Sequence, residues 1–203
     1  MSPFHRPAGN PRLRLILSSM AAALISASAC AEPARVPRAL AAFIPAGSTL
    51  LDYIEADLNG DGTKDYAFIL ESSASNPEAG ERSLTIAVRE ADGALRAVKT
   101  NRKLVLCAQC GGVMGDPFNE LRAEKNGFSV SHYGGSGWRW SNAFTFRYSG
   151  RDRSWQLTRA EKTSFHVAKP DEIETEVHRP PKDFGKIDLA DFDPKHYLGV
   201  GPK

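Results

Sequence analysis

Between residues 138 and 148, apolar and polar side chains alternate with a period of two. Trp138, Trp140, Asn142, Phe144, Phe146 and Tyr148 fall on one face, and Arg139, Ser141, Ala143, Thr145 and Arg147 on the other. Successive side chains of a strand point to opposite faces, so this pattern predicts a strand with an aromatic inner face. The same parity assigns Trp138 and Trp140 to core packing rather than to stacking on a ligand. Leu84, Ile86 and Val88 share one face of a second strand, with Thr85 and Ala87 opposite. Ala91 to Ala94 turn that strand into Leu95 to Val98. Glu120 to Lys125 reads as a strand, and Asn126-Gly127 is a strong hairpin turn into Phe128 to Tyr133. Ser149 to Asp152 turn the chain into Trp155 to Thr158, with continuation toward Val167. Little of the chain has a helical period. The fold class is therefore all-β, mainly antiparallel, as a sandwich or meander. Residues 32–47, rich in Pro and Ala, read as a linker with a short helical turn near Arg38 to Phe43. Residues 48–203 read as a single β-rich domain. From Lys169 the chain reads as an irregular tail, in which Ile187 to Tyr197 docks as a short strand or turn.

The N-terminus changes the picture of where the chain resides. Arg6, Arg12 and Arg14 precede a short apolar stretch through Ile25, followed by the small residues Ser26 to Ala31. This is the layout of a secretory signal, too short and wrongly flanked for a membrane span. Two cleavages are open. One after Ala31 leaves a soluble protein, and one before Cys30 leaves an acylated cysteine as a membrane tether. The lipoprotein version has Ala27 where such signals usually carry Leu. Either way the expectation is an exported protein, periplasmic or secreted, or held at the outer membrane. About 170 residues remain, enough for one domain with its own core. The segment 1–31 holds three arginines and no acid, so the remainder carries 23 basic and 24 acidic residues. That balance, with no Lys/Arg run, argues against nucleic acid as a partner. No later segment is apolar enough to span a bilayer.

The strongest chemical signal is Asp57-Leu58-Asn59-Gly60-Asp61-Gly62-Thr63-Lys64-Asp65. Oxygen-bearing side chains recur at alternate positions, then a glycine permits a sharp turn, and a further carboxylate follows. Calcium takes six to eight oxygens, which a chain supplies by curling around the ion. The expected ligands are Asp57, Asn59, Asp61, the Thr63 carbonyl and Asp65, holding a structural calcium. A helix-loop-helix hand is excluded, because the position that needs a bidentate Glu is Phe68, and a strand-like run follows Asp65. The competing reading is a plain Asn-Gly/Asp-Gly hairpin turn without metal.

Cys107 and Cys110 form a Cys-x-x-Cys pair. In an oxidising compartment the default is a disulfide. A redox-active pair or half of a metal site competes with it, although Gly111-Gly112 are poor chemistry for the helix a redox pair needs. His132 shares parity with Phe128 and Val130, which makes it a half-buried strand residue rather than a base. Ser136 lies among glycines, but the register of a nucleophile elbow fails at Trp138. The Gly111 to Phe118 loop lacks the Lys-Ser/Thr of a phosphate loop. No catalytic residue is assigned.

The stretches Asp57 to Leu70, Cys107 to Phe118 and Phe128 to Tyr148, with Ile187 to Phe192, resemble a group of exported bacterial proteins and lipoproteins. The resemblance extends over much of the mature chain. It implies export and a β-rich domain, and it brings no activity with it. The sequence thus points to a non-catalytic envelope domain that binds a ligand or protein or serves structurally. The alternative is an envelope thiol-disulfide protein using Cys107 and Cys110.

Overall fold

Nine antiparallel strands among the described residues form two sheets, each a simple meander. The structure is a computed structural model that describes residues 36–73 and 81–196. The expected signal segment with Cys30, the start of the expected linker and residues 197–203 lie outside the described residues. The first sheet runs β1 (Ser48–Ala56), β2 (Asp65–Ser72), β3 (Arg82–Arg89) and β4 (Leu95–Asn101). The second runs β5 (Phe118–Glu124), β6 (Gly127–Gly135), β7 (Trp138–Ser149), β8 (Ser154–His166) and β9 (Lys169–His178). The expected all-β class holds. No helix among the described residues is long and apolar enough to cross a membrane.

The main core lies between the sheets. Ala67, Ile69, Leu84 and Ile86 of the first sheet meet Phe128, Val130, Phe144, Phe146 and Leu157 of the second. Strand β2 is apolar at every position from Tyr66 to Leu70 because both of its faces are covered. Ala67 and Ile69 face the second sheet, while Tyr66, Phe68 and Leu70 face the 3₁₀ turn Arg38–Phe43. Leu40 of that turn is fully buried, and Phe43 packs its ring on Phe68 at 5.8 Å. Much of the expected linker is therefore the lid on the outer face of the first sheet.

Two further expectations are corrected. Residues from Lys169 form strand β9, paired with β8 from Ala160↔His178 to His166↔Lys169. Beyond it the chain returns to the core as a docking turn rather than a strand. Leu189 and Phe192 are buried, and Phe192 stands edge-on to Phe144 at 4.9 Å and Phe146 at 5.3 Å. Asn101 clamps this turn by donating to the carbonyls of Leu189 and Phe192. The second correction concerns the tryptophans. The face parity of β7 is as expected for Asn142, Phe144 and Phe146, but the strand outruns the core. Trp138 is 38% exposed and packs edge-on against His166, its cross-strand partner. Trp140 stands over Gly134, where a Cβ would approach its ring to 2.6 Å.

Candidate functional site

The Asp57 to Asp65 loop connects β1 to β2 and is tied down from both ends. Leu58 is fully buried in the main core, and its carbonyl accepts from Nε1 of Trp155 on β8 at 2.8 Å. Its N–H donates to Asp65 Oδ2 at 3.2 Å, while Asp65 Oδ1 accepts from the Arg89 N–H at 3.0 Å. Asp65 thus links the loop to β3, and Leu58 links it to the second sheet. Gly60 and Gly62 adopt φ of +82° and +88°, the left-handed region that glycine enters without strain. A Cβ at Gly60 would meet the Asn126 side chain at 2.8 Å, at the turn between β5 and β6.

Within the loop the side-chain oxygens turn onto backbone donors. Asp57 accepts from the N–H groups of Gly60 at 2.6 Å and Gly62 at 3.0 Å. Asn59 Oδ1 accepts from Asp61 N–H at 2.9 Å, and Asp61 Oδ1 from Thr63 N–H at 2.7 Å. The Thr63 bonds hold the Asp61 carboxyl below its usual range. Asp65 is different. Burial pushes its carboxyl up against the pull of its two backbone donors, and the charges of Asp61 and Asp57 push the same way as burial. Asp65 therefore feels the charges of both Asp61 and Asp57, and it is buried without a cationic partner among the described residues.

That electrostatic deficit is what a divalent cation relieves, and the donor set is all oxygen, as calcium requires. A carboxylate oxygen has two lone pairs, so a bond to a loop amide leaves it able to ligate. The fit is in chemistry rather than in finished geometry. Among the described residues no three His, Cys, Asp or Glu side chains are gathered around a common metal position.

A second cluster lies where the Cys107 to Pro117 loop meets β3 and β6. Arg82, with its side chain 1% exposed, donates to Glu71 at 3.0 Å, to the Leu106 carbonyl at 3.0 Å, and in a fork to both oxygens of Asp116 at 2.7 and 2.6 Å. The guanidinium holds the Asp116 carboxyl below its usual range. Beside it, His132 is fully buried rather than half-buried, because the loop covers it. Its Nε2 accepts from the Leu106 N–H at 3.4 Å, and its Nδ1 has no hydrogen-bond partner among the described residues. Burial, reinforced by the Arg82 charge, lowers its pKa to about 4. A neutral, enclosed imidazole has no route to a substrate proton. Arg82 and Asp116 stand 34 residues apart, and no local pattern announces their pairing.

Cys107 and Cys110 form a disulfide with Cα atoms 5.2 Å apart, across a turn closed by Cys110 N–H to the Cys107 carbonyl. No helix starts at Cys107, so the setting of a thioredoxin-type pair is not present here. The bridge closes a separation of only three residues, for which chain entropy gives about 2 kcal/mol. Urea unfolding of a Cys107→Ser/Cys110→Ser variant should show a loss no larger than this, with the two-sheet core intact. Global unfolding of that variant would contradict a local staple.

Comparison with protein-family models, with characterised proteins and with solved structures finds no match.

Proposed function

We propose that this chain is an exported, non-catalytic β-domain of the cell envelope that acts by binding or as a structural element. A structural calcium held by Asp57, Asn59, Asp61, the Thr63 carbonyl and Asp65 would lock the β1–β2 connection between the sheets. The observation that carries the calcium reading is Asp65, a buried carboxylate raised by burial and by two acidic neighbours in a loop whose remaining donors are oxygens. When bound, calcium supplies charge neutralisation and a cross-link, and no reaction step. The loop's own residues orient it: Leu58 plugs the core, and Gly60 and Gly62 make the turn. Export itself rests on the residue 1–31 pattern, with Cys30 as the acylation point in the tethered version.

The test is terbium luminescence. Trp155 touches the loop through the Leu58 carbonyl and is placed to sensitise a lanthanide bound there. Terbium emission that calcium displaces, and that Asp61→Asn abolishes, is the expected result. Asn at this position keeps an acceptor for Thr63 but removes the charge. Emission absent, or unchanged in the variant, would reduce the loop to an ordinary turn.

Thiol-disulfide exchange is the second reading, favoured by the exposure of Cys110 at the surface. Attack on a disulfide requires such access. It requires reversible reduction by a thiol partner without loss of the fold.

A further inference from the structure

The outer face of the second sheet carries a groove that the sequence disperses over 58 positions, from Arg122 to Arg179. Cross-strand register assembles it. Arg122, Ser129, Thr145 and Arg159 stand in one row across β5, β6, β7 and β8. Glu124, Gly127, Arg147 and Gln156 stand in the next row on the same face. Arg179 follows directly on β9, beside β8, where His178 is paired with Ala160. The opposite parity, Phe144 and Phe146, is committed to the core, so no layer among the described residues covers the arginine face.

The groove encloses about 590 Å³ and is lined by Arg122, Arg147, Arg159, Arg179, Glu124 and the hydroxyl-bearing Thr145 and Thr158. Four guanidinium groups face one carboxylate in the lining. Glu124 takes Arg122 at 3.1 Å, and Arg159 pairs with Glu161. Arg147 and Arg179 have no carboxylate partner for their guanidinium groups among the described residues. Asp183 accepts the Arg179 backbone N–H rather than its side chain.

We infer that this groove binds a small, soluble ligand carrying more than one phosphate charge, such as a polyphosphate or a sugar phosphate. The guanidinium fork matches phosphate oxygens and keeps its charge at any physiological pH. Arg122 and Arg159 are three strand spacings apart, roughly 14 Å, and their long side chains can close on an anion between them. The volume is that of a small-ligand site. A small ligand is favoured over a bilayer or a long polyanion by the next row of the same face. Glu120, Ser131, Ala143 and Glu161 stand there, and the two acids end the positive patch after two rows. This names a ligand class for the binding role proposed above and rests on that role.

The experiment is calorimetric titration of the protein with tripolyphosphate at low ionic strength. EGTA is present throughout, so the outcome is independent of the calcium loop and a failure here leaves the terbium result standing. Saturable one-to-one binding is expected. The exposed pair Arg147→Gln/Arg179→Gln should weaken it about tenfold per arginine, with an unchanged melting temperature. Arg96→Gln, which removes a surface arginine of the other sheet paired to Glu90, should leave it unchanged. No saturable binding would overturn the inference. So would equal affinity in the double variant, or equal losses in both variants. Binding only to vesicles of phosphatidylglycerol and phosphatidylcholine, with none to tripolyphosphate, would overturn it in favour of a membrane surface.

Discussion

Replacing Arg82 with alanine should destabilise the protein by about 3–5 kcal/mol, among the largest effects of any single substitution outside the aromatic core. The reason is geometric. Arg82 is enclosed, and its charge is matched by Asp116 and Glu71 while a third bond goes to the Leu106 carbonyl. Its removal leaves the half-buried Leu106 carbonyl without its donor and two partly exposed acids without their counter-charge. It also frees the loop that shields His132. Arg82→Lys should recover only part of the loss, because an ammonium cannot reproduce the fork to Asp116. Denaturant unfolding gives the energy, and proteolysis between Cys107 and Pro117 reports the loop. A loss below about 1 kcal/mol would mean that the pairs contribute no more than exposed ion pairs do.

Acidification should destabilise the fold through His132. Its folded pKa, about 4, lies below the unfolded value of about 6.5. Between those values the unfolded chain binds the extra proton, so stability rises with pH across this window. The contribution is complete above pH 6.5 and lost as pH falls toward 4, by about 3 kcal/mol. Asp116, held below its usual range by Arg82, loses its own contribution only at still lower pH. His132→Gln keeps an acceptor for the Leu106 N–H and removes the titration, so it should flatten the curve between pH 4 and 6.5. An imidazole that remains neutral by NMR at pH 5 would agree. An unchanged pH slope in the variant would place the acid sensitivity elsewhere.

What could be read from sequence was local periodicity where one face is buried and the other wet. Strand β7 met that condition through Tyr148, and the Asn126-Gly127 turn marked its own hairpin. Strand β1 did not. It is an edge strand with a bulge between Leu50 and Asp52 and no clearly buried face, so no alternation survives. Strand β9 is charged and almost wholly exposed, and only pairing with β8 makes it a strand. The tryptophans failed for a related reason: parity predicts which face a side chain takes but not where the opposing sheet ends. At the candidate site, the oxygen-bearing side chains and glycine positions of the Asp57 to Asp65 loop were legible, because they lie within nine residues. The anchors, Leu58 to Trp155, Arg82 to Asp116 and the four-strand arginine rows, join residues that only the folded register brings together.

Under the proposed function, a calcium held in the loop between β1 and β2 locks the sheets. A thermal melt of the protein in calcium and in EGTA, repeated with Asp61→Asn, tests it most directly. At about a hundredfold excess over its dissociation constant, calcium should add about 2.7 kcal/mol. For a domain of this size that raises the melting temperature by about 5–10 °C, and the variant should lose the rise. Coincident melts in calcium and EGTA would contradict the account.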